Sequence, residues 1–89
     1  MDRAALIEDL KRLIIAECDI EMSPDEIDAD ARLIGGDLDL DSLDALQIAL
    51  AVTERHGVRI EGGPDERKAF ASVSSLADFV IARKAAPSP

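Results

Sequence analysis

Eighty-nine residues, 47% of them hydrophobic, suffice for one modest core and leave too little chain for a second. With Phe70 and Phe79 as the sole aromatics, the interior must be filled by Leu, Ile, Val and Ala, which points to a helical fold. A formal charge of -9 argues against nucleic acid and anionic membrane surfaces as partners and favours basic protein surfaces.

That charge is concentrated. Residues 17–44 hold eleven acids against a single base, Arg32, whereas residues 1–16 are neutral and residues 45–89 sum to +1. Cys18 is the only cysteine, so no intramolecular disulfide forms and a reducing compartment is natural. No apolar run is long enough to span a bilayer, and Met1-Asp2-Arg3 opens no signal peptide, so the expected location is cytoplasmic, with no membrane insertion.

In chain order, Arg3 to Cys18 places Leu6, Ile7, Leu10, Leu13 and Ile14 at helical spacing among charged residues, behind Asp2 as N-cap. Residues 19–41 form a long acidic connection with a turn or short helix start at Ser23-Pro24 and a breaker pair at Gly35-Gly36. Its aliphatics, Ile20, Ile27, Leu33, Ile34, Leu38 and Leu40, predict that it packs over the bundle.

A second helix opens at Asp41 or Ser42 and runs to His56, with Gly57 in the C-cap position. Asp41 is a strong N-cap type, and Asp44 three residues on is a relative of the capping box. This helix is apolar on two sides: Leu43, Leu46 and Leu50 form one row, and Ala45, Ile48, Ala49 and Val52 another. Only one row is needed to join a core. Val58-Arg59-Ile60 reads as extended, Pro64 opens a short helix through Ala71, and Ser74 caps a last helix whose buried face is Leu76, Phe79 and Val80.

The expected fold is all-α: a small four-helix bundle with three longer helices, a short third helix and a long first loop. Residues 1–84 make the domain and residues 85–89 a disordered tail.

A serine opening a helix is ordinarily only a cap. Two other readings arise from its neighbours. Asp37, Asp39 and Asp41 occupy positions 1, 3 and 5 of a calcium loop, but Ser42 stands where that loop needs glycine and Ile48 where it needs glutamate. This leaves a calcium-responsive module, or an unmodified acidic interaction domain, as alternatives. No metal site is expected.

The second reading is a resemblance. Asp41-Ser42-Leu43-Asp44, with an acidic loop before it, an aliphatic helix after it, and the later run Phe70-Ala71-Ser72-Val73-Ser74-Ser75-Leu76 leading into a last helix, resembles the attachment motif and architecture of acyl carrier proteins. The resemblance implies that Ser42 carries 4'-phosphopantetheine, placed there from coenzyme A by a phosphopantetheinyl transferase. It further implies that acyl groups ride on the arm as thioesters between enzymes of fatty acid, polyketide or related lipid biosynthesis. A peptidyl carrier is the nearest variant. Partners would be a ketosynthase, acyltransferase or acyl ligase with basic docking surfaces, meeting Asp41, Leu43, Asp44, Leu46 and Leu50 on a monomeric carrier.

Within the resemblance there are departures. Gln47, Thr53 and Arg55 make the second helix less acidic than in carriers of bulk fatty acid synthesis, and His56 ends it where an aromatic is common. These point to a dedicated carrier of a specialised pathway. Small Ala45, Ala49 and Ala51 are expected to let an acyl chain slip between helices. A stand-alone enzyme is not expected, because His56 lies about four turns from Ser42 along one helix.

Overall fold

The computed structural model describes residues 2–35, 40–60 and 64–85, with the side chains of residues 65, 66 and 85 left aside. Among the described residues there are four α-helices, α1 (Arg3–Cys18), α2 (Ser42–His56), α3 (Pro64–Ala69) and α4 (Val73–Ala85), and a 3-10 turn at Pro24–Glu26 in the first connection. The all-α bundle with one short helix is thus the observed fold.

Helix α1 starts where Asp2 accepts the Ala4 N–H at 3.0 Å and ends at Asp19, which adopts a left-handed conformation (φ 53°) while its N–H reaches the Ile15 carbonyl. Leu6, Leu10, Leu13 and Ile14 form its buried stripe. It packs against both α2 and α4, and α3 packs on α4. The fully buried centre is built from Leu10 and Ile14 of α1, Ile48 and Val52 of α2, and Val73, Leu76 and Val80 of α4, together with Leu33 from the long connection.

That connection is a structural layer, as its aliphatics predict. Ile27, Leu33 and Leu40 are buried, while Leu38 lies outside the described residues. Two backbone bonds tie it to the α3–α4 link: the Leu33 N–H donates to the Ala71 carbonyl and the Ser74 N–H to the Ala29 carbonyl, each at 2.9 Å. A third tie runs from the Ser74 hydroxyl to the Asp30 carboxylate at 2.7 Å. The loop then pinches at Ile34 and Leu40, which form an isolated parallel bridge, with the Gly35 N–H on the Leu40 carbonyl at 2.9 Å. Gly35 turns there with φ +75°, a conformation that other residues adopt only under strain. The pinch delivers Asp41 to the start of α2.

Two boundaries differ from expectation. Helix α3 stops at Ala69 rather than Ala71, because the Ala71 carbonyl is turned outward to receive Leu33. The cap of α4 is Ser72, not Ser74: its Oγ accepts the Ser75 N–H at 3.1 Å, while Ser75 Oγ accepts the Ser72 N–H at 2.9 Å. Ser75 Oγ also donates to the Ala69 carbonyl at 2.7 Å, stitching α3 to α4. Val73 is driven into the core, 1% exposed, which fixes the helix start one residue before Ser74.

On α4, Ala77 joins Leu76 and Val80 in the core. Phe79 is half-buried with the Arg83 guanidinium 4.8 Å above its ring, a cation–π arrangement. The helix includes Ala85, and the remainder of the expected tail lies outside the described residues. None of the described helices is long and apolar enough to cross a membrane.

Candidate functional site at the start of α2

Ser42 is the first residue of α2. Its position is fixed by a reciprocal capping box. Asp41, extended at φ -117° and ψ -170°, accepts the Leu43 N–H at 3.0 Å and the Asp44 N–H at 3.1 Å. Asp44 in turn accepts the Asp41 N–H at 3.1 Å. Two carboxylates at the positive end of the helix dipole are favourable there and satisfy donors that the helix leaves open. At the other end Gly57, at φ +69°, passes its N–H to the Thr53 carbonyl.

Between the two capping acids the Ser42 side chain is exposed, and among the described residues its hydroxyl has no hydrogen-bond partner. The other described serines differ. Ser72 and Ser75 have their hydroxyls engaged in the α3–α4 junction, Ser74 donates to Asp30 of the long connection, and Ser23 heads a three-residue 3-10 turn without a side-chain cap bond.

The two apolar rows of α2 separate as expected. Ile48 and Val52 are fully buried, with Ala45 and Ala49 half-buried beside them, whereas Leu43, Leu46 and Leu50 are 62%, 55% and 62% exposed. These are the only exposed large hydrophobics among the described residues, and they begin next to Ser42. A groove of about 1060 Å³ opens on the other side of the serine, between α2 and the long connection, α3 and Ile60. Ser42, Ala45, Leu46 and Ala49 line it from α2, and Ile34, Ile60, Phe70 and Ala71 are the apolar residues that line it from the other segments.

The groove corrects one expectation and refines another. Ala51 does not face it; it lines a smaller cleft with Leu13, Ala16 and Arg55 between α1 and α2. Leu46 belongs both to the exposed ridge and to the groove edge, so it stands between the two surfaces rather than on the ridge alone.

Cys18, at the end of α1, comes close to the capping acids. Burial pushes its thiol from 9.0 up to about 11, and the negative charges of Asp44, Glu17 and Asp41 act in the same direction. Such a thiol is poorly ionised and a weak nucleophile at neutral pH.

His56 is not near the serine. Its Nε2 lies 2.9 Å from an Asp9 carboxylate oxygen, with Arg55 3.8 Å from the other, so it joins the far end of α2 to α1. Among the described residues there is no group of three metal-ligating side chains. Asp41, the third acid of the calcium-loop pattern, is committed to the cap, and Asp37 and Asp39 lie outside the described residues.

Sequence reasoning did not find the His56–Asp9 pair or the groove's two arginines, Arg32 and Arg67. The isolation of Arg32 within the acidic segment was the available signal for the latter.

The family described as phosphopantetheine attachment site matches residues 8–80 of the chain. The acyl carrier protein of Sulfurovum sp. (strain NBC37-1) is 30% identical over 76 residues, covering 85% of this chain and 95% of that protein. The match spans α1 to α4 and the long connection, so it includes the capped start of α2, and an exposed hydroxyl at a helix N-terminus fits a phosphodiester. The chain belongs to the acyl carrier protein family, whose members carry a covalently attached 4'-phosphopantetheine arm.

Proposed function

We propose that Ser42 is the attachment point of the arm and that the protein shuttles acyl groups between enzymes of fatty acid, polyketide or related specialised lipid biosynthesis. When bound, the arm supplies a thiol that holds the acyl group as a thioester. The observation that carries the reading is the exposed Ser42 hydroxyl, without a hydrogen-bond partner among the described residues, on a doubly capped helix start beside an apolar groove and an exposed leucine ridge.

Each neighbour has a task in this reading. The positive end of the α2 dipole favours the phosphodiester, while Asp41 and Asp44 cap the helix start and steer basic enzyme surfaces toward it. Leu43, Leu46 and Leu50 provide apolar contact area, and the weakness of a small ridge permits release. The groove shelters the acyl chain. A ketosynthase, acyltransferase or acyl ligase with a basic face completes the cycle, with the carrier a cytoplasmic monomer.

The test is to convert the protein to its arm-bearing form and acylate it with an acyl ligase. An acyl group that is released by hydroxylamine, as a thioester is, supports the reading. A hydroxylamine-stable acyl group, or none at all, contradicts it.

A further inference from the structure

The groove beside Ser42 is not uniformly apolar. Arg32 enters it from the long connection and Arg67 from α3. Both are exposed, and neither has a carboxylate partner among the described residues. Arg32 donates from Nε to the Ile34 carbonyl at 3.1 Å, which lays its guanidinium against Gly35 and leaves four of its five N–H groups to donate elsewhere. The acid on the same wall, Asp30, already accepts from the Ser74 hydroxyl.

Resting on the assignment of Ser42 as the tether, we propose that this groove selects an acyl chain bearing an ionised carboxylate. Its methylenes lie on Ile34, Ile60 and Phe70, and its carboxylate lies between Arg32 and Arg67. A plain alkyl chain needs only the apolar wall and gains nothing from two guanidinium groups that have no carboxylate partner among the described residues. An anionic chain approaching a protein of net charge -9 is repelled unless cations stand where its charge comes to rest. Arginine suits that place because its planar fork can grip a carboxylate through two parallel bonds. Both guanidinium groups are solvent-accessible, so their hold is sensitive to salt.

The experiment loads the protein with octanoyl and with octanedioyl pantetheine from the corresponding coenzyme A thioesters, using a broad-specificity transferase. Melting temperature and the arginine side-chain NMR signals are then compared with those of the unacylated arm-bearing form. The octanedioyl form melts several degrees above the octanoyl form at low salt and shifts the Arg32 and Arg67 Nε–H signals. The difference shrinks in 0.5 M salt (roughly a 4 Å screening length) and disappears in the double variant R32Q/R67Q.

Equal melting of the two acyl forms, or arginine signals that move on attachment of the arm and no further on octanedioylation, overturns the proposal. In the second case the arginines serve the phosphodiester. Failure of any adduct to form on Ser42 overturns both the tether and the groove assignment, whereas an adduct without discrimination overturns the groove assignment alone.

Discussion

The carboxylates of Asp41 and Asp44 cap each other's backbone, the N–H of each lying 3.1 Å from the side chain of the other. Ser42 and Leu43 are therefore held on a short, rigid arch at the head of α2 while remaining exposed. The same two acids supply negative charge where partner enzymes would approach, and capping and steering can be separated by mutation.

Asn caps a helix about as well as Asp, and Ala does not. Asp41→Ala is expected to cost about 1–2 kcal/mol, lowering the melting temperature by about 4–8 °C for each kcal/mol. Asp41→Asn should cost less than about 1 kcal/mol. In transferase assays both variants should load several-fold more slowly at low salt, with Asp41→Asn converging on the parent protein as salt rises. Thermal melts and kcat/KM at two salt concentrations check this.

The leucine ridge and the core row give opposite signatures. Leu50→Asp changes a residue 62% exposed that does not line the groove, so melting should hardly move while enzyme turnover falls by about tenfold or more, equivalent to about 1.4 kcal/mol. Ile48→Ala empties a fully buried site and should cost about 2–5 kcal/mol of stability. Leu46→Asp should impair acyl loading more than folding, with an added loss of acyl-chain protection from its place on the groove edge. Circular dichroism melts beside loading rates separate the three.

The two α-helical C-caps should respond with opposite signs. Gly57 sits at φ +69° with open space around a would-be Cβ, so Gly57→Ala meets backbone strain alone and should destabilise by about 1 kcal/mol. Asp19 holds φ 53° with a side chain, and Asp19→Gly should raise the melting temperature by a few degrees.

Cys18 gives a pH test. Its thiol is raised from 9.0 to about 11 in the folded protein, so the neutral form is the one folding favours. The associated stability is fully present below pH 9 and is lost as pH rises through about 11. The parent protein should lose melting temperature across that interval more steeply than Cys18→Ala. Iodoacetamide at pH 8 should alkylate the folded protein more slowly than the urea-unfolded chain.

What the sequence made legible was governed by local rules. The 3.6-residue period identified α1 and both faces of α2, and the Asp41/Asp44 spacing placed the start of α2 at Asp41 or Ser42, where Ser42 is its first residue. The α4 cap was ambiguous because Ser72, Ser74 and Ser75 are all competent. Burial of Val73 and the bond from Ser75 to Ala69 made the choice, and both depend on how α3 meets α4. The His56–Asp9 contact joins residues 47 apart, and the placement of Ala51 away from the groove depends on how α1 and α2 pack. Arg32 stood out as the lone base of an acidic segment, but its pairing with Arg67 across a groove appears only once the long connection is folded onto the bundle.

Six serines could in principle carry the arm, and Ser42 is the one assigned to it. The most direct measurement is incubation with coenzyme A and a broad-specificity transferase, followed by intact mass and peptide mapping of the parent protein, Ser42→Ala and Ser23→Ala. A single adduct on the peptide containing Ser42, retained in Ser23→Ala and absent from Ser42→Ala, is the predicted result. An adduct that persists in Ser42→Ala, or none on the parent protein, would contradict the account.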